Sequence, residues 1–126
     1  MSIVIERAVT AYLRAWCESD PTARTNLIES CWSIDGRLVS ASREIRGRTA
    51  LAETMTRFAP QLIRIRLLSV IDAGRTSFRF RGVADLRDGT SAEAFDAGEV
   101  DAAGRIALIL TFAGPLADAG GGAVAR

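Results

Sequence analysis

Histidine is missing from all 126 residues, and its absence removes several chemistries together. No Ser-His-Asp or Cys-His nucleophile can be assembled, and the common zinc sites that use imidazole are excluded. Two cysteines, Cys17 and Cys31, are too few for a site built from thiolates alone. They read as two small reduced residues on helix faces, which points to a cytoplasmic protein. No metal or cofactor is therefore expected. Charge of one sign is also lacking: 16 basic and 15 acidic residues leave a formal net charge of +1. That balance gives no electrostatic reason to expect a nucleic acid or an anionic membrane as partner. The opening Met1-Ser2-Ile3-Val4-Ile5-Glu6-Arg7 meets charge after three apolar residues, unlike a signal peptide. Later apolar runs stay short of the ~18 residues a membrane span needs.

What is present suits one globular domain. The composition is 48% hydrophobic and 25% charged, ordinary values for a folded protein. A chain of this length buries roughly 65–70% of its unfolded surface, enough for a real core.

Ile5, Val9, Tyr12, Leu13 and Trp16 recur at helical spacing, which predicts a first helix from about Ser2 to Ser19. Asp20-Pro21 supplies a cap and a first-turn proline for a second helix ending near Cys31. Leu27, Ile28 and Cys31 form its inward side. Asp35-Gly36 reads as a turn before an extended stretch, Arg37 to Ser42. A third helix follows Gly47, with Leu51, Met55 and Phe58 on one face, and stops near Pro60. Beyond it lie four predicted strands: Leu62–Ile71, Thr76–Leu86, Ser91–Val100 and Arg105–Phe112. The turns between them are short, which makes antiparallel neighbours. Helices first and sheet second define an α+β layer arrangement. The domain is expected over residues 1–116, with a Gly/Ala-rich tail, 117–126, that composition predicts to be mobile.

Several segments are distinctive when taken in order: Ala11-Tyr12-Leu13-Arg14-Ala15-Trp16 with Asp20-Pro21, Cys31-Trp32-Ser33-Ile34-Asp35-Gly36, and Ile45-Arg46-Gly47-Arg48-Thr49-Ala50-Leu51. Phe78-Arg79-Phe80, Asp101-Ala102-Ala103-Gly104-Arg105-Ile106 and Thr111-Phe112-Ala113-Gly114-Pro115-Leu116 complete the set. Together they resemble the SnoaL-like branch of the nuclear transport factor 2-like superfamily, which includes ketosteroid isomerases. The resemblance implies a cone-shaped roll, three N-terminal helices packed on a strongly curved antiparallel sheet around a pocket. It also implies a homodimer through the outer face of the sheet. It is specific for fold and silent on function.

The same resemblance marks Tyr12 and Asp96 as candidate catalytic residues. In the isomerases a tyrosine of the first helix and a late-strand aspartic acid donate hydrogen bonds to a developing oxyanion. The residues themselves make the pairing sensible. A phenol on an apolar helix stripe needs a hydrogen-bond partner, and an inward carboxyl must find a donor or stay protonated. Three readings stay open: a structural hydrogen bond between helix and sheet, a ligand-facing polar pair, or oxyanion donors. The family's proton-shuttling aspartate is replaced by Ser40, whose hydroxyl cannot take a proton near neutral pH. Asp35 reads as a turn residue and Glu44 as solvated or ion-paired.

The ligand-binding set is therefore Tyr12, Trp16, Trp32, Ser40, Met55, Phe58, Phe80 and Asp96, around a small apolar molecule, carbonyl-containing if chemistry follows. Arg64, Arg66, Arg79 and Arg81 alternate along two neighbouring strands. Cross-strand pairing with Asp85, Glu93 or Glu99 explains them better than a nucleic-acid ribbon, because aromatics are only 6% of the chain. Gly47-Arg48 lacks the glycine pattern of a phosphate cradle. Two rival functions remain. One is a dimerisation or adaptor module with a filled interior. The other is an epoxide hydrolase, which needs an Asp–Arg–Asp cluster that residue order cannot assign.

Overall fold

A computed structural model describes residues 2–115 together with 118 and 120. Helix α1 covers Ile3–Cys17, with Ser2 capping it: its hydroxyl accepts from the Ile5 N–H. Ile5, Ala8, Val9, Tyr12 and Ala15 are buried, the side of the helix that apolar spacing marks out. Helix α2, Pro21–Cys31, starts on Asp20, whose carboxylate accepts from the Ala23 N–H at 2.8 Å. It buries Ile28, Cys31 and, against expectation, Arg24.

Arg24 is 3% exposed and has no acidic partner among the described residues. Its guanidinium instead closes the C-terminal end of α1. It donates to the carbonyls of Ala15 and Glu18 and to the Thr56 hydroxyl. A cation there meets the negative end of the helix dipole and carbonyls that have no helical partner. One side chain thus pins α1, α2 and α3, which spans Arg48–Phe58.

The strands are β1 (Trp32–Val39), β2 (Glu44–Arg46), β3 (Leu62–Leu67), β4 (Asp72–Ala73), β5 (Ser77–Leu86), β6 (Ser91–Val100) and β7 (Ile106–Ala113). They form one sheet in the order β2-β1-β7-β6-β5-β3, with β4 also on β5. From β5 to β7 the chain is the antiparallel meander that the short turns predict.

Three expectations need correction. The sheet is not a strongly curved antiparallel cone: it is mixed and open, neither closed nor strongly curled, with β1 parallel to β7 and β2 and β3 at its ends. Short turn signals reveal antiparallel neighbours only. A parallel neighbour arrives through a long crossover, and here everything from β2 to β6 lies between the two strands. Asp35-Gly36 is not a turn either. Both residues lie inside β1, where the register with β7 shifts between Trp32 and Arg37. Gly36 is needed for closeness: a Cβ there would stand 2.5 Å from the Trp32 indole nitrogen and 2.9 Å from the Ile106 carbonyl. Finally, Leu62–Ile71 is not one strand, since β3 ends at Leu67 and Asp72–Ala73 pairs separately with β5.

The core lies between the helices and one face of the sheet. Trp32, Leu38, Phe78, Phe80, Ile106 and Ile109 meet α1 and α3 there. Fully burying one such side chain is worth about 1.5–3 kcal/mol. No described helix is long and apolar enough to cross a membrane. Both cysteines are free, Cys31 buried and Cys17 exposed. The tail expected over 117–126 lies almost wholly outside the described residues.

Candidate functional site

Beside this core the two layers separate and leave a cavity of about 470 Å³. Its floor is the inner face of the sheet. Phe80 on β5, Asp96 on β6 and Thr111 on β7 stand directly opposite one another, so alternation puts all three side chains on one face. Helix α1 contributes Tyr12, Leu13 and Trp16, and the end of α3 contributes Phe58. Trp16 meets Tyr12 edge-on at 6.3 Å between ring centres and Phe58 edge-on at 5.7 Å. These perpendicular contacts fix an aromatic wall above the sheet.

Asp96 is the unusual member. It is 7% exposed, and its Oδ1 is buried with no hydrogen-bond partner among the described residues. Burial pushes its carboxyl up to about 6, because the apolar surroundings disfavour charge; the nearby Thr111 hydroxyl pulls slightly the other way. The Tyr12 hydroxyl is held far above the ordinary phenol range, first by burial and then by the negative charge of Asp96. Tyr12 therefore stays a hydrogen-bond donor. No hydrogen bond joins it to Asp96, so the structural-bond reading has no contact to rest on.

Of the eight residues expected to touch a ligand, Tyr12, Trp16, Ser40, Phe58, Phe80 and Asp96 line the cavity. Trp32 and Met55 do not; both are fully buried in the core. Trp32 stacks on the far side of Tyr12, 5.5 Å between ring centres. It positions the phenol and touches no ligand space. Ser40 lies at the cavity rim, its backbone N–H donating to the Arg43 carbonyl at 2.9 Å.

The arginine ribbon runs along the opposite, outer face. Arg64 and Arg66 each donate to Asp85 at 2.7 Å, Arg79 to Asp72 at 2.7 Å, and Arg81 to Glu93 at 3.5 Å. Glu44 pairs with Arg37 and Arg46 on the outside, and Asp35 is exposed in β1.

Sequence reasoning missed Thr111 and the exposed polar rim, Arg43, Arg57 and Gln61. Thr111 is hidden by a bulge. Counting back from the Val100–Ile106 pairing would place Leu110 opposite Asp96, but a register shift beside Val100 moves Thr111 there. All sixteen basic residues are arginine, so the chain has no lysine for imine or amine chemistry.

No family model matches the chain, and no curated protein does. Solved structures do match. A candidate isomerase of the SnoaL-like family from Agrobacterium tumefaciens superposes with a TM-score of 0.76 at 23% identity, covering 89% of this chain and 98% of its own. An LEH-like epoxide hydrolase from M. tuberculosis gives 0.69 at 20%, covering 88% and 83%. A candidate polyketide cyclase from Sinorhizobium meliloti gives 0.66 at 16%, covering 82% and 92%. Fold and cavity together define an α+β protein with a ligand-sized hollow between helices and sheet. The chain shares its fold with a structure of the SnoaL-like family and with structures described as nuclear transport factor 2-like.

Proposed function

We propose that this protein binds a small, mostly apolar carbonyl compound in the cavity, with Asp96 reading the ligand's oxygen and Tyr12 donating beside it. One observation carries the reading: a buried carboxyl whose Oδ1 has no hydrogen-bond partner among the described residues lines the floor of a mostly apolar hollow of about 470 Å³. Leaving a buried polar group unpaired costs about 1–3 kcal/mol, and a bound oxygen accepting from the protonated carboxyl relieves that cost. The volume falls within the roughly 300–1,000 Å³ of small-molecule sites. An interior filled by its own side chains, the adaptor reading, is harder to reconcile with a hollow of that size.

Recognition leads and catalysis is subordinate to it. Protonated Asp96 and Tyr12 are suited to steady a developing oxyanion. The residue at the position of the family's base is Ser40, and a hydroxyl does not remove a proton near neutral pH. Epoxide hydrolysis finds less support. Asp96 is the only aspartate among the described residues lining the cavity, so an Asp–Arg–Asp cluster is not assembled.

The probe is 1-tetralone, compared with tetralin, which lacks the oxygen; Trp16 fluorescence and calorimetry read binding. Tetralone should bind more tightly than tetralin, and more tightly below about pH 6 than above it, because Asp96 must keep its proton to donate. Asp96→Asn should remove that pH dependence. Ala94→Trp, which fills the cavity from β6, should weaken both probes. Unchanged binding of both in Ala94→Trp would remove the cavity from consideration.

A further inference from the structure

Arginines distribute unevenly between the two sides of the sheet. Outside, Arg37, Arg46, Arg64, Arg66, Arg79 and Arg81 each have an acid within 4.0 Å. Two others line the cavity: Arg43, in the connection from β1 to β2, and Arg57, in the last turn of α3. Neither is in an ion pair among the described residues. Among the described residues, the Arg57 guanidinium makes one hydrogen bond, a long 3.4 Å one to the Thr54 hydroxyl, and the Arg43 guanidinium makes none. Both residues are exposed, so their cationic groups stand where the cavity meets solvent, beside Ser40 and Gln61.

The acids lining the same cavity do not answer them. Glu93 is engaged with Arg81 on the outer side, and Asp96 is buried at the floor. The cavity is thus polarised along its depth: an apolar body, one hydrogen-bonding group at the bottom, two unmatched guanidinium groups at the top. A guanidinium offers parallel N–H donors that fit a carboxylate fork.

We infer that the ligand is an amphipathic acid, inserted with its apolar body in the cavity and its carboxylate at the rim on Arg43 and Arg57. This rests on the cavity being a binding site, as proposed above, and deepens that reading by naming the ligand's charge. A second oxygen function, facing Asp96, completes the match at the deep end. Neutral compounds fill the apolar part and leave the rim unused.

The test compares 1-naphthaleneacetate with the neutral alcohol of the same skeleton, 1-naphthaleneethanol, by calorimetry. Wild type is set against Arg43→Gln, Arg57→Gln, the double variant, and Arg64→Gln on the outer face as control. All three substitutions are at exposed positions, and melting curves check that each variant folds. The acid should bind about tenfold more tightly than the alcohol, the weight of one charge-assisted hydrogen bond. Added salt should narrow that preference. Each single variant should lose part of it and the double variant all of it, while alcohol binding and Arg64→Gln stay as wild type. Equal affinities for acid and alcohol in wild type, or a preference that survives in the double variant, overturns the inference. If wild type shows no preference for the acid, but the alcohol binds and Ala94→Trp blocks it, the cavity reading stands while the charge inference falls. If neither compound binds, both fall.

Discussion

The two faces of the sheet are made from the same strands and obey opposite rules. On β5, Phe78 and Phe80 point inward and are buried, while Arg79 and Arg81 point outward and are exposed. Outside, every ribbon arginine finds an acid, and water is available to any group that lets go. Inside, one carboxyl has a buried oxygen with no hydrogen-bond partner among the described residues and is shifted toward its neutral form. The outer pairs are many and individually weak, because solvent screens exposed ions. The inner carboxyl is single and sensitive, because nothing screens it.

Substitutions can break this contrast, beginning with the largest effect. Phe80→Ala should lower unfolding free energy by about 3–5 kcal/mol, through lost burial and the space left behind. Its outward neighbour, Arg81→Ala, should differ from wild type by far less in the same urea titration. Equal losses would mean the faces are not energetically distinct.

Next comes the pH dependence of Asp96. Its folded-state value, about 6, exceeds the ordinary carboxyl value of 3.8, so the folded protein holds this proton more tightly than the unfolded chain. Stability from this group is complete below about pH 4 and lost as pH rises through about 6. The difference between wild type and Asp96→Asn should change by about 3 kcal/mol across that window, with the asparagine variant gaining relative to wild type at higher pH. A constant difference from acid to neutral pH would show that Asp96 is well solvated.

The smallest effect belongs outside. Arg66 and Arg64, with help from Ser91, hold the Asp85 carboxyl well below the usual carboxylate range. Its contribution is present above that ordinary range and fades only in strong acid, the opposite sign to Asp96. Asp85→Asn should cost little at neutral pH, and high salt should erase the cost. A large loss that salt does not touch would make the outer ribbon structural.

Much of the fold was legible, and particular residues show why. The stripe from Ile5 to Trp16 is a local pattern, and Asp20-Pro21 is a local cap, so α1 and α2 could be read directly. Of the ribbon's partners, Asp85 and Glu93 follow from short turns and strand alternation, whereas Glu99 pairs with none of these arginines among the described residues and Arg79 takes Asp72 instead. Tyr12, Trp16, Phe58, Phe80 and Asp96 are legible in the sequence as pocket residues, and they line one cavity. The misses are long-range. Trp32 and Met55 carry the right chemistry for a pocket wall, but packing put them behind it. Thr111 depends on one bulge, and the rim arginines on where a hairpin and a helix end happen to meet.

The order of amino acids by itself determined the helices, the antiparallel meander, the alternation of faces and the exclusion of histidine chemistry. Each follows from forces that act over a few residues. Only tertiary structure decided that β1 lies parallel to β7, that the sheet stays open, and that Asp96 is buried opposite Thr111 with its Oδ1 unpartnered. Those outcomes depend on groups far apart in the chain competing for the same space, and periodicity carries no record of who wins.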